Sequence, residues 1–238
     1  MNTKSKPLFS ENDVNNYRRI RKFIGYLGLS LPLVLVILSV IPFFKTNLQY
    51  SISSYYYTNF REIFTGILSA VSLFLICYQG PERNPKIWEN DSLLTNIAGV
   101  LALLIALFPT NPETCSEKIY TIAPWCLEWL GWLHYSFAGI FFIILAYISI
   151  RIFTLGQKVE KGTSDKPLNE NNIYKFCGSI ILVCVILTPV SARLELFPCS
   201  TLVLETIALL AFGTTWLIKG RALGDKGKIG RVLYRENN

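Results

Sequence analysis

Six long stretches without a charged side chain constrain this chain more than any other feature. Uncharged residues run from 23 to 44, 63 to 81, 92 to 112, 129 to 150 and 176 to 192, and a sixth stretch, 196 to 218, is broken only by Glu205. A helix needs about 17 to 25 apolar residues to cross a bilayer. In lipid every backbone amide must find its partner inside the protein, so such stretches become helices. Among 238 residues with a mean hydropathy of +0.38, this pattern excludes a water-soluble globular domain. It predicts an all-α, polytopic membrane bundle of six transmembrane helices, at about 23–44, 62–80, 92–109, 130–150, 174–191 and 199–218. A basic segment, 1–22, precedes this membrane domain, 23–218, and a basic tail, 219–238, follows it.

The cations divide between the two sides of such a bundle. Six precede the first stretch (Lys4, Lys6, Arg18, Arg19, Arg21, Lys22) and six follow the last (Lys219, Arg221, Lys226, Lys228, Arg231, Arg235). Arg83 and Lys86 lie in the second connection, and Arg151, Lys158, Lys161, Lys166 and Lys175 in the fourth. One side therefore holds 19 of the 23 cations and the other only Lys45, Arg61, Lys118 and Arg193. Positive loops stay inside, which predicts that both termini are cytoplasmic. Six spans agree with that, because an even number returns the chain to its starting side. The first apolar run is too long for a signal peptide, and no small-residue cleavage site follows Val40-Ile41-Pro42-Phe43-Phe44, so it reads as a retained helix.

The net charge of +7 thus reports topology before it reports a partner. In the tail, Gly224-Asp225-Lys226-Gly227-Lys228-Ile229-Gly230 lacks both the spacing of a phosphate-binding loop and the Ser or Thr after its Lys. Neither a nucleotide site nor a nucleic-acid partner fits. A flexible tail drawn to anionic lipid headgroups does.

Small residues recur on the third stretch at Ala98, Gly99, Ala102 and Ala106. They form a face that lets a neighbouring backbone approach closely and suggest a central place for this helix. Trp125, Trp129 and Trp132, with Tyr55, Tyr56 and Tyr57, read as an aromatic belt at the outer interface. Cys115, Cys126 and Cys199 share the outer side, where one disulfide among them is permitted and the pairing stays open. A single His and the lack of any Cys-x-x-Cys pair exclude a zinc ribbon, and no haem or flavin motif is present, so no cofactor is expected.

Ionisable residues inside a span cost roughly 2.5 to 3.5 kcal/mol even on lenient scales, and so need a partner or a task. Glu205 lies about two turns into the sixth span, His134 sits near the start of the fourth, and Arg61 and Glu62 open the second after a hydroxyl-rich run ending in Tyr55, Tyr56 and Tyr57. With Arg193, these residues share the outer half of the bundle. Three arrangements suit them. In the first, Arg61 pairs with Glu205 or Glu62 and the cluster fixes helix register. In the second, they line an outward pocket in which Arg61 grips an anionic headgroup, since its fork matches phosphate and carboxylate, while Glu205 or His134 handles protons. In the third, His134, Glu62 and Glu205 hold a divalent metal.

Four segments together resemble a family of uncharacterised small six-helix bacterial inner-membrane proteins. They are Ser54-Tyr55-Tyr56-Tyr57-Thr58 with Arg61-Glu62 and Gly66; Asn96-Ile97-Ala98-Gly99 with Ala106-Leu107-Phe108-Pro109-Thr110; Leu133-His134 with Phe137-Ala138; and Leu204-Glu205 with Ala211-Phe212-Gly213, Trp216 and Lys219-Gly220. The resemblance spans roughly residues 50 to 220 and implies a bacterial inner membrane as location and no established activity. The family usually has Asp where this chain has Glu62. A more distant similarity, to the ceramidase-like membrane hydrolases, lacks most metal ligands and the seventh helix here, so no hydrolase activity is carried over. The first expectation is a non-enzymatic membrane protein whose outer pocket binds a lipid headgroup or small anion. An enzyme or proton-coupled transporter using Glu205, and a structural subunit of a membrane complex, are its rivals.

Overall fold

A computed structural model describes residues 11–80, 86–108, 110–111, 127–158, 169–194, 197–224 and 228–234. These residues are helical and contain no strand. The elements are α1 (Glu11–Ser39), α2 (Arg61–Cys77), α3 (Asp91–Leu107), α4 (Glu128–Tyr147), α5 (Phe153–Lys158), α6 (Glu170–Leu194), α7 (Ser200–Lys219) and α8 (Lys228–Leu233). A π-helical turn, Ile148–Ile152, joins α4 to α5 without a break. Four of the segments, 14–39, 128–155, 170–194 and 200–219, are long and apolar enough to cross a membrane, and α3 is a shorter apolar helix.

The helix limits depart from the apolar stretches for local reasons. α1 includes residues 11–22, ahead of the apolar stretch, because Arg and Lys are good helix formers. It ends at Ser39, before Ile41-Pro42, where the residue preceding proline is pushed out of the α region. Phe43 and Phe44, expected inside the first span, lie in a 3₁₀ turn instead. α2 has 17 residues, a rise of about 25 Å, short of the roughly 30 Å hydrocarbon core. A 3₁₀ segment, Ser53–Tyr57, packs against its start.

The long helices close into a ring in chain order: α1 packs on α2, α2 on α3, α3 on α4, α4 on α6, α6 on α7, and α7 back on α1. The expected central place of α3 gives way to this arrangement, in which α3 lies chiefly between α2 and α4. Its small face is used as read. Ala98, Ala102 and Ala106 are buried, a Cβ on Gly99 would press on the Ser72 carbonyl oxygen at 2.8 Å, and Ser72 donates to the Gly99 carbonyl at 2.7 Å. A second close junction joins α1 and α7, where a Cβ on Gly213 would lie 2.8 Å from the Gly25 carbonyl oxygen and one on Gly28 3.3 Å from the Gly213 Cα.

Aromatic side chains fill the ring. Trp216 of α7 meets Tyr78 edge-on at 5.3 Å and Phe153 at 5.2 Å, and Phe153 in turn meets Tyr174 at 5.4 Å. All four are buried. Such edge-to-face pairs add directionality to the large apolar area each ring removes from solvent. The outer surface is apolar instead: Phe23, Leu33 and Ile37 on α1, Ile140 and Ile143 on α4, and Phe176, Val183 and Ile186 on α6 are all exposed. A water-facing protein rarely displays so continuous an apolar surface. The tail, expected to be flexible, folds in part: α8 returns to the bundle and buries Leu233 and Tyr234.

Candidate functional site

Glu205 meets the backbone rather than Arg61. Its carboxylate accepts from the Ile52 amide at 2.6 Å, and the Ser53 amide donates to it as well. These amides open the 3₁₀ segment Ser53–Tyr57, whose first N–H groups have no partner within the segment. A carboxylate suits that place because the N-terminal amides carry partial positive charge. Leu202 of α7 donates its amide to the Tyr50 carbonyl at 2.8 Å, so three bonds, two in one sense and one in the other, tie the start of α7 to residues 50–53.

The three tyrosines divide their work. Tyr55 and Tyr56 are buried inside the ring rather than placed in an interfacial belt. Tyr55 donates to Ser39 at the end of α1 (3.0 Å), and Tyr57 donates to the Thr110 carbonyl beyond α3 (2.6 Å). Burial pushes the Tyr57 phenol above its ordinary range, which keeps the donated proton in place. Arg61, half-buried at the start of α2, lays its guanidinium 4.7 Å from the Tyr56 ring centroid and donates to the Tyr56 hydroxyl at 3.4 Å. Glu62, one residue on, is exposed.

His134 is 2% exposed, and its Nδ1 lies 2.7 Å from the Phe108 carbonyl oxygen, joining the start of α4 to the end of α3. Thr110 donates to Tyr135 at 3.1 Å beside it. Arg193 stands exposed in the last turn of α6. Among the described residues no three His, Cys, Asp or Glu side chains converge on a metal-sized site. The metal arrangement of His134, Glu62 and Glu205 is therefore not formed, since Glu205 faces the Ile52 amide and His134 the Phe108 carbonyl. Cys199 is a free thiol at the N-cap of α7, and Cys115 and Cys126 lie outside the described residues, as does Trp125. Trp129 and Trp132 are exposed, as an interfacial belt requires.

The opposite end of the ring holds polar groups that hydropathy does not reveal. Arg21 donates to the Tyr78 hydroxyl through Nη2 at 2.7 Å and Nε at 3.2 Å, and that hydroxyl donates to Asp91 Oδ2 at 2.8 Å. Nearby, the Lys219 amine donates to the Phe153 carbonyl at 3.0 Å and lies over the rings of Phe153 and Tyr174 at 5.1 and 5.5 Å. Tyr174 donates to Glu170 at 3.3 Å. Cation, phenol and carboxylate from α1, α2 and α3 thus form one chain, and the ends of α5, α6 and α7 form a second. The charges of Arg21, Asp91 and Lys219 each stand at the edge of an apolar run, and Glu170 stands six residues before one. That was the available signal, and it reads equally well as ordinary flanking charge. No known protein family matches the chain, and neither a curated protein nor a solved structure is similar to it.

Proposed function

We propose that this chain is an integral membrane protein of six spans with both termini in the cytoplasm, and that it binds an anionic lipid headgroup or small anion at its outer end rather than catalysing a reaction. Its apolar outer surface and four membrane-length helices support insertion. The helices alternate in direction around the ring, so the two ends of the bundle correspond to the two charge classes of the loops. Arg21, Arg151 and Lys219 share one end, where Arg151 lies 3.8 Å from Glu89. By the charge rule that end faces the cytoplasm. The four resembling segments favour the inner membrane of a bacterium.

The observation that carries the binding reading is the posture of Arg61. Its guanidinium lies 4.7 Å from the Tyr56 ring centroid, at the first residue of α2. A guanidinium held over a ring loses little further freedom when it takes up an oxyanion, and the adjoining helix N-terminus favours the same charge. Glu205 takes a structural part, because its oxygens already serve backbone amides.

Native mass spectrometry of the protein released from nanodiscs tests this reading. Wild type should retain an anionic adduct that Arg61→Ala loses and Arg61→Lys keeps in part. An identical set of adducts in wild type and Arg61→Ala would remove Arg61 as the anion ligand.

A further inference from the structure

The outer face of α3 carries a carboxamide that the packing of a single chain does not use. Asn96 is exposed, and its side chain makes no hydrogen bond among the described residues. It lies five residues beyond Asp91, the first residue of α3, which is a rise of about 8 Å. Exposed Leu93, Ile97 and Val100 surround it, while Ala98, Ala102 and Ala106 are buried on the inner face of the same helix.

An amide in hydrocarbon still needs the partners that water would supply. Hydroxyls elsewhere on the bundle find theirs within their own helix: Ser136 donates to the Trp132 carbonyl and Thr65 to the Arg61 carbonyl, each at 2.8 Å. For Asn96 the corresponding acceptor is taken. The Ser92 carbonyl, one turn back, accepts the Thr95 hydroxyl at 3.1 Å in addition to the helical amide.

The surroundings of Asn96 have a regular spacing. Leu93, Asn96, Val100, Leu103 and Leu107 follow one another at alternating intervals of three and four residues, the repeat that keeps one seam of a helix against a parallel partner. The first three are exposed and the last two half-buried, so the seam is open along the helix. A lone Asn in an apolar seam fixes register, and membrane helices hydrogen-bond across their contacts through such side chains.

The chemistry of this seam selects a second copy of the chain as its occupant. Two copies insert with the same topology, so a two-fold axis along the membrane normal sets their α3 helices parallel and places each seam residue opposite its equivalent. A carboxylate or a cation there would face its own charge, but residues 92–112 contain neither. A carboxamide pairs with itself, because each offers both an N–H donor and a carbonyl acceptor. The four apolar residues of the seam meet their equivalents without stranding a polar group.

We propose that α3 forms the contact of a parallel homodimer in the membrane, held in register by reciprocal hydrogen bonds between the two Asn96 amides. The contact rests on α3 being one of the spans and is independent of the anion reading at Arg61.

Photocrosslinking of the full-length chain in the membrane of the expressing cell identifies what covers the seam. p-Benzoylphenylalanine is placed at Val100 in one variant and at Ile186, exposed on α6, in another. Position 100 should yield a species of twice the 27.0 kDa chain, with the joined peptide coming from α3 of the second copy, and position 186 should yield none. A crosslink from position 100 to lipid alone would keep α3 in the membrane and overturn the dimer. A crosslink to a different protein, or equal doubling from position 186, would overturn it too. Energy transfer between donor-labelled and acceptor-labelled chains in phosphatidylcholine vesicles, followed as added lipid dilutes the protein, then measures the part of Asn96. Asn96→Leu should need about tenfold more protein per lipid for half-maximal transfer, and Asn96→Gln, which keeps an amide, less than Asn96→Leu. The same half-maximal ratio in wild type and Asn96→Leu contradicts the amide contact. The Tm of dilute, monomeric Asn96→Leu in detergent should match that of wild type, and a fall would place the partner of the amide within one chain and contradict the proposal.

Discussion

Glu205 brings a carboxylate into an otherwise apolar helix, and its partners are backbone amides that a 3₁₀ segment leaves without one. Removing the carboxylate leaves those amides short of a partner beside buried Ile52 and Ser53. An unsatisfied buried donor costs about 1–3 kcal/mol, so Glu205→Leu should lower thermal stability in detergent by several degrees. Glu205→Gln keeps an acceptor oxygen and should cost less than half as much. Unfolding followed by tryptophan fluorescence checks the order of the three proteins. Equal stability of wild type and Glu205→Leu would mean that the bond to Ile52 contributes nothing. Hydropathy marked Glu205 because a charge in lipid needs an explanation, but the partner could not be read. An amide 153 residues away carries no residue identity, and only the fold brings it near.

Helix packing separates what sequence shows from what it leaves open. The small face of α3 was legible because Ala98, Ala102 and Ala106 recur every four residues with Gly99 beside them, and it lies against α2 as such faces do. The equally close α1–α7 junction was not: its glycines lie nearly two hundred residues apart, and Gly25 and Gly213 match only after the ring has closed. At that crossing the Gly213 backbone nearly touches the Gly25 carbonyl. Gly213→Ala therefore forces two backbones apart and should cost about 1–3 kcal/mol. Gly66, in α2, has nothing within 4 Å of its missing Cβ. There Ala should be neutral or better, since it gains up to about 1 kcal/mol in helix propensity. Thermal denaturation of the two variants side by side measures the contrast, and equal stability would refute a tight α1–α7 contact. The same reasoning explains why Tyr55 and Tyr56 were misread as a belt. Aromatic clusters flank membranes and fill cores alike, and burial is decided by the 3₁₀ turn that aims them inward.

For the whole molecule, the number of apolar stretches and the side on which the cations gather come from composition along the chain. The ring order does not, because hydropathy has no lateral information. Closure in chain order places each connection between neighbours and gathers the third turn of α1 and the first turns of α3 and α6 with the ends of α2, α5 and α7. These are the places of Arg21, Asp91, Glu170, Tyr78, Lys158 and Lys219. Helix packing sets the end of α7 beside Arg18 and Lys22 of α1. If that end faces the cytoplasm, Lys86 lies inside and Asn47, exposed in the connection between α1 and α2, lies outside. In a chain with its six native cysteines replaced, Asn47→Cys should react with a membrane-impermeant maleimide on intact cells, and Lys86→Cys only after permeabilisation. The reverse pattern would invert the whole bundle and move Arg61 to the cytoplasmic face. Labelling of both positions on intact cells would show that the connections do not alternate, and the six-span reading would fall with its assignment of sides.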